Sequence, residues 1–250
     1  MAINKRVQIR APADGLIEHF RGPGYAAAEH QRQSHDDREN LRPVRTFRFV
    51  GQRRLVDDIS GLTDSQARSP SLLPDWSVGH VLTHIARNGD AFVRMMSAAI
   101  DGRVMTQYEG GHEGRAAGIA AGAARPAVEL VADVSRSAAA VADVWLRMSD
   151  AAWAGHGLNA AGESWPCEAM PFHRGREVTS HHVDIGLGYT PADWPDDYVE
   201  RELAVTLRLL PERLSGADQR RALGWLLGRS GQPGDLALAP WQSRPGHYLR

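Results

Sequence analysis

Three residues stand out for the chemistry they could share: His84, Glu177 and His181. Glu177 and His181 lie four apart in GREVTSHHVDIG, so a helix there carries both on one face. A carboxylate and an imidazole at that spacing are a common way for a helical bundle to aim two metal ligands inward. The same spacing occurs on solvated helices, so the pair alone does not define a site. His182 lies about 100° further round the helix, and Asp184 falls on another stripe. In LLPDWSVGHVLTHIARNGDAF, His84 belongs to the stripe Ser77, Val81, His84, Asn88 that borders an apolar face. A histidine there is either a hydrogen-bonded core residue or a ligand. His80 completes an HxxxH pattern with it, but occupies the first turn of the helix.

The combination is more specific than its parts. Two neutral imidazoles and one carboxylate match the three-ligand set of catalytic zinc, with the fourth position open. Such a centre keeps net positive charge, acts as a Lewis acid, and ionises a thiol or water at the open position near neutral pH. Cys167 could be a ligand, but nothing in its spacing requires it, and a buried, idle cysteine is the simpler reading. Further polar candidates are Asn88, His112, Arg115 and Arg229. Arginine suits a substrate carboxylate because its planar fork binds two oxygens at once. In a chain whose only lysine is Lys5, though, any one arginine is by default a solvated surface group.

The elements that must position these groups are helical. Val44, Phe47, Val50, Leu55, Ile59 and Leu62 recur every three or four residues and predict a first helix, ended by Gly61 and the polar TDSQARSPS. Ser77 is a good N-cap for a second helix, whose stripe runs from Val78 to Ile100 before Gly102 closes it. The Gly- and Ala-rich residues 101–124 predict a long loop with a short helix from Arg115 to Ala121. Pro126 opens a third helix that runs to Met148. Residues 153–170 lack helical period and suit a small hairpin turning at AAGES. Three more helices are expected over about Gly175–Gly186, Asp197–Leu214 and Asp218–Gly228, then a Pro-rich coil tail. The fold class is therefore mainly all-α: a four-helix bundle with extra C-terminal helices and a small β-hairpin. Its expected division is an unstructured extension over residues 1–42, a metal-binding bundle over 43–190, and a helical C-terminal segment over 191–250. The extension is either a tail without a role or a short partner-binding arm.

Composition narrows the partners. The chain has 250 residues, is 42% hydrophobic and 24% charged, and carries a formal net charge of −1. That balance offers no net basic field to nucleic acid or an anionic membrane. No apolar run approaches the ~20 residues of a membrane span, and the N-terminus lacks the apolar stretch of a signal peptide. One cysteine excludes an intrachain disulfide and fits a reducing cytoplasm. There is no phosphate loop, no GxGxxG after a strand and no GxSxG elbow. The expected partner is a small electrophilic molecule bearing a carboxylate, and the expected state a monomer or homodimer.

Four stretches together resemble the mycothiol-dependent maleylpyruvate isomerases, within the DinB-like metal-binding helical bundles, over roughly residues 45–230. LLPDWSVGHVLTHIARNGDAF is similar to the family's second helix, which implies a metal role for His84 and a cofactor contact for Asn88. EGRAAGIAAG is similar to its arginine-bearing loop and helix, here Arg115. GREVTSHHVDIG is similar to the segment supplying the other two ligands, Glu177 and His181, and LGWLLGRSG to the C-terminal helix ending in an arginine, here Arg229. The resemblance implies zinc and a low-molecular-weight thiol, mycothiol, as cofactors. It implies addition of the thiolate to the cis double bond of maleylpyruvate, rotation, and expulsion of the thiol to give fumarylpyruvate. Arg115 and Arg229 would hold carboxylates or the thiol's polar end and stabilise enolate-like charge. Two alternatives stay open: a thiol S-transferase using the same site, and a metal-binding bundle without catalysis. The sequence departs from the family where SGADQRRA replaces the β-strands expected before the Arg229 segment, and the N-terminal extension has no counterpart there.

Overall fold

The computed structural model describes residues 51–230 and residue 236, and it enters them in a helix, α1 (residues 51–58), that turns Gln52, Leu55 and Ile59 inward. The expected stripe residues Val44, Phe47 and Val50, the extension over 1–42 and most of the coil tail lie outside the described residues. The polar stretch after α1 is not a plain loop. Thr63 and Gln66 close a capping box around a short helix, α2 (Asp64–Arg68). Its first carboxylate, Asp64, accepts the Ala127 backbone N–H at 2.7 Å and so caps another helix far along the chain.

Ser77 caps α3 (Val78–Ile100) as its sequence predicts, and Gly102 ends it in the left-handed region at φ +68°. α4 (Gly111–Gly122) is longer than the short helix expected there and starts from left-handed Gly110. α5 (Ala127–Arg147) and α6 (Asp150–Trp153) follow. Strands β1 (His156–Leu158) and β2 (Ser164–Pro166) pair antiparallel, with Gly157 opposite Trp165, and form the expected hairpin. A Cβ at Gly157 would stand 2.8 Å from the Met95 sulfur, so its absence lets the hairpin lie against α3. After a 3-10 turn (Cys167–Ala169), α7 (Met170–Asp184) begins five residues before the expected Gly175. Pro171 tolerates that early start because a first-turn residue needs no N–H partner. α8 (Asp196–Arg213) and α9 (Gly216–Leu226), the latter capped by Ser215, complete the described chain.

α1, α3, α5 and α7 form the bundle, with α3 central and packed on both α5 and α7. Its core has two apolar halves. Leu55, Ile59, Val81, Ile85, Leu130, Val178 and Ile185 fill one; Phe92, Met95, Met96, Val144, Trp165 and Met170 fill the other. Asn88 of α3, Ser137 of α5 and Arg174 of α7 supply buried polar groups in the stretches between those halves. A Cβ at Gly89 would stand 3.1 Å from Ser137 and 3.2 Å from Arg174 Nη2, so glycine there makes room for both. Among the described residues no helix is long and apolar enough to cross a membrane.

Asp133 of α5 ties the bundle together from outside the core. Its buried carboxylate accepts from Arg87 and Arg125 at 2.6 Å each and also pairs with Arg136. Burial works against this charge, but the Arg125 hydrogen bond and the three guanidinium charges outweigh it and hold the carboxyl below its usual pKa. A pKa lower in the folded than the unfolded state stabilises above the ordinary carboxylate value and is lost as pH falls through it. Asp133→Asn is therefore expected to lower unfolding stability by about 2 kcal/mol at pH 7. In denaturant titrations the gap should narrow as pH falls below the ordinary carboxylate value and close only below the lowered pKa of the folded state.

Candidate metal centre

The site arises where α3 and α7 pass each other. His84 projects from α3 and is 2% exposed, while Glu177 and His181 share one face of α7. His84 Nε2 stands 2.9 Å from Glu177 Oε2 and 3.1 Å from His181 Nε2. His181 Nε2 lies 3.6 Å from Glu177 Oε2. The three residues each offer a ligand atom, and all three atoms lie within 4.8 Å of one another. The segment before α3 is strapped to the end of α7, because the Leu72 N–H donates to the Asp184 carbonyl at 2.8 Å. From that segment Trp76 meets the His84 ring edge-on, with 5.8 Å between centroids.

The surroundings set the charge of each donor in the metal-free site. Burial pushes the His84 imidazole down to about 4, against the hydrogen bond and charge of Glu177, so the ring is neutral at pH 7. Burial also opposes the Glu177 charge, yet hydrogen bonds from His181 and His84 hold its pKa well below the usual carboxylate range. For His181, burial again disfavours charge. Hydrogen bonds to Asp184 and Glu177, and their negative charges, prevail and raise it to about 9. Asp184 sits 2.8 Å from His181 Nδ1, fixing that ring so that Nε2 faces the other donors. Sequence reasoning missed Asp184 by following the i, i+4 stripe alone; residues three apart on a helix also touch.

Around the donors is a second set of polar groups. Arg115, on α4, points its Nη2 at His84 Nδ1 from 3.2 Å, so the arginine singled out by sequence does reach the centre. Asn88, one turn after His84 on the same stripe, is 1% exposed, and its Oδ1 accepts from Arg174 Nη1 at 2.8 Å. Arg174 itself went unnoticed in the sequence. It is fully buried one turn before Glu177, donates to Gln52 Oε1 at 3.0 Å and to the Ile85 carbonyl at 2.7 Å, and its Nη2 has no acceptor among the described residues. Burial lowers its pKa to about 10, which leaves it charged at neutral pH. Tyr108, in the turn before α4, was missed as well. Its ring is 8% exposed, and burial raises its phenol, with the charge of Glu177 adding to the rise and that of Arg115 opposing it.

Other sequence candidates lie elsewhere. Arg229 is exposed in the turn after α9, and no hydrogen bond or ion pair joins it to the donors. His112 is exposed near the start of α4. His80 closes the α3 capping box by accepting the Ser77 N–H on Nδ1. Cys167 is buried, and burial pushes its thiol up to about 11, the inert form. His182 turns away from the centre, as the helix phase predicts: it stacks on Tyr189 at 3.7 Å and meets Asp58 at 3.2 Å.

Comparison with known proteins places this arrangement in context. Residues 50–186 match the family described as mycothiol maleylpyruvate isomerase N-terminal domain. A crystal structure of the mycothiol-dependent maleylpyruvate isomerase superposes with a TM-score of 0.63 at 26% identity, covering 69% of this chain and 72% of that one. A histidine-to-alanine mutant of the mycothiol-dependent maleylpyruvate isomerase gives the same score and coverage at 25% identity. No curated protein matches the chain.

In the metal-free protein at pH 7, nitrogen NMR is expected to find His181 protonated on both ring nitrogens and His84 neutral. Two neutral rings, or the reverse assignment, would show that Asp184 and Glu177 do not act on His181 as this geometry requires.

Proposed function

The chain belongs to the mycothiol maleylpyruvate isomerase family, and from that premise we propose that it is a zinc- and mycothiol-dependent cis–trans isomerase of maleylpyruvate or a closely related electrophilic carboxylate. One observation carries the metal half of this reading. Ligands about 2.0–2.1 Å from a tetrahedral zinc stand about 3.3 Å from one another. The three donor pairs here are spaced 2.9, 3.1 and 3.6 Å, on either side of that value. The donor set, two imidazoles and one carboxylate, leaves a fourth position for an exogenous ligand.

When bound, the cation and the thiol together supply a thiolate, whose reversible addition turns a cis double bond into one that can rotate. The chain's own residues do the rest. Glu177 lowers the charge of the centre by one, and Asp184 fixes the ring of His181. Trp76 and the burial of His84 keep water from one side. Arg115, beside His84, is placed to hold a substrate carboxylate or the thiol's polar end. Arg229 has no part in this proposal, because nothing in the structure brings it to the donors.

Purified protein loaded with zinc and given mycothiol and maleylpyruvate is expected to consume the cis substrate and return the thiol undiminished. Accumulation of a stable thiol adduct would assign an S-transferase instead, and no thiol-dependent reaction would leave a metal-binding bundle. His84→Ala should lose most bound zinc by elemental analysis while keeping helical circular dichroism. His182→Ala should keep its zinc, since that ring belongs to the Asp58–Tyr189 contact; equal zinc loss in both would reject the assignment of donors.

A further inference from the structure

The contact between Arg115 and His84 suits the metal-free site and works against a filled one. Arg115 Nη2 stands 3.2 Å from His84 Nδ1 and 3.5 Å from His84 Nε2, the ring nitrogen that faces the other two donors. Backbone packing puts the guanidinium there. α4 lies directly on α3: a Cβ at Gly122 would stand 2.6 Å from Thr83 Cγ2, next to His84, and one at Gly118 would stand 4.0 Å from Arg87 Cγ. Glu177 and Asp184 are engaged by His84 and His181, and among the described residues no carboxylate pairs with Arg115. The Glu177 carboxylate only accepts hydrogen bonds, and the guanidinium only donates them. The neutral His84 ring satisfies both in one tautomer alone, with its proton on Nε2 toward Glu177 and its lone pair on Nδ1 toward Arg115. Ligation through Nε2 needs the lone pair on that atom, which places the proton on Nδ1 and leaves the ring's charge unchanged. The Nδ1–H then meets the Arg115 N–H, donor against donor. The ligated cation also adds positive charge beside a guanidinium that no carboxylate neutralises.

We propose that Arg115 couples the metal centre to anion binding: a carboxylate that draws the guanidinium away from His84 strengthens cation binding, and the bound cation strengthens carboxylate binding in turn. The proposal rests on the reading of His84, Glu177 and His181 as metal donors, and goes beyond it by making the affinity of the centre depend on a second ligand. The carboxylate acts twice. It neutralises the guanidinium, and it accepts the N–H groups that His84 Nδ1 would otherwise have to accept. By thermodynamic necessity each ligand raises the affinity of the other by the same factor. The ligand class is a small carboxylate, whose two oxygens match the planar fork of the guanidinium. A neutral molecule offers neither effect, so Arg115 selects for anions as well as anchoring them.

The test measures zinc affinity by chelator competition at buffered free zinc, in the full chain and in its Arg115→Gln variant, with and without saturating maleate. Maleate is a cis dicarboxylate, and with no thiol present nothing turns over. In the wild type, maleate is expected to tighten zinc at least about fivefold, and calorimetry should find zinc tightening maleate by the same factor. Arg115→Gln, which lacks the charge, is expected to bind zinc at least about fivefold more tightly than the wild type without maleate, and to respond to maleate less than about twofold. Arg115→Met gives the same test should the glutamine variant not fold. An equal maleate effect in wild type and variant would mean that the anion meets the cation directly, and would overturn the coupling. A single zinc affinity under all these conditions would also overturn it, while leaving the metal centre standing. No zinc bound by either protein would remove the coupling and the metal centre together. Coupling in a protein that fails to isomerise maleylpyruvate would sink the isomerase reading alone.

Discussion

The contact between His84 Nε2 and Glu177 Oε2, 2.9 Å across the α3–α7 crossing, is the constraint around which the bundle is arranged. A carboxylate and an imidazole do not enter the middle of a helical core without compensation. Here the compensation comes from three neighbours along α7 itself. His181 faces the carboxylate from one turn along α7, Asp184 steadies His181, and Arg174 places a buried positive charge one turn the other way. The apolar halves of the core fix the separation of α3 and α7, so the donor spacing follows from Val81, Ile85 and Val178 packing as much as from the donors themselves.

Arg174 gives the site its electrostatic character. Its hydrogen-bond partners are an amide, a backbone carbonyl and a second amide, none of them a carboxylate, so its charge is not cancelled by contact. Arg115 adds a second cation at His84. Against these stand Glu177 and Asp184. A cation bound among the donors would make the pocket strongly positive, a setting that favours anionic sulfur and carboxylate over neutral molecules.

Much of this was legible in the sequence, for identifiable reasons. Ser77 and Gly102 bracket α3 because capping and left-handed termination are local chemistry, and the stripe between them shows its phase. Helical phase also separated His181 from His182, and the two do go different ways. The start of α7 was missed because Met170–Arg174 has no amphipathic period: that turn is buried on every side, charge included. The same absence hid Arg174, since a fully buried arginine has the sequence signature of a surface one. Tyr108 escaped because its position is set by the hairpin pairing with residues some fifty places downstream, which no local pattern reports. Arg229 shows the converse. A local likeness singled it out, but α9 ends in an exposed turn whose contacts do not lead to the centre.

The bond from Arg174 Nε to Gln52 Oε1 has a practical consequence for anyone who trims the chain. Gln52 belongs to the first described turn of α1, far in sequence from every donor, and nothing about it suggests involvement with a metal. A shortened protein starting after it would retain His84, Glu177 and His181 yet strand a guanidinium N–H in the core without an acceptor. The smallest autonomous unit of this bundle must therefore reach back through Gln52, and its boundary is set by a buried cation rather than by the ligands it serves.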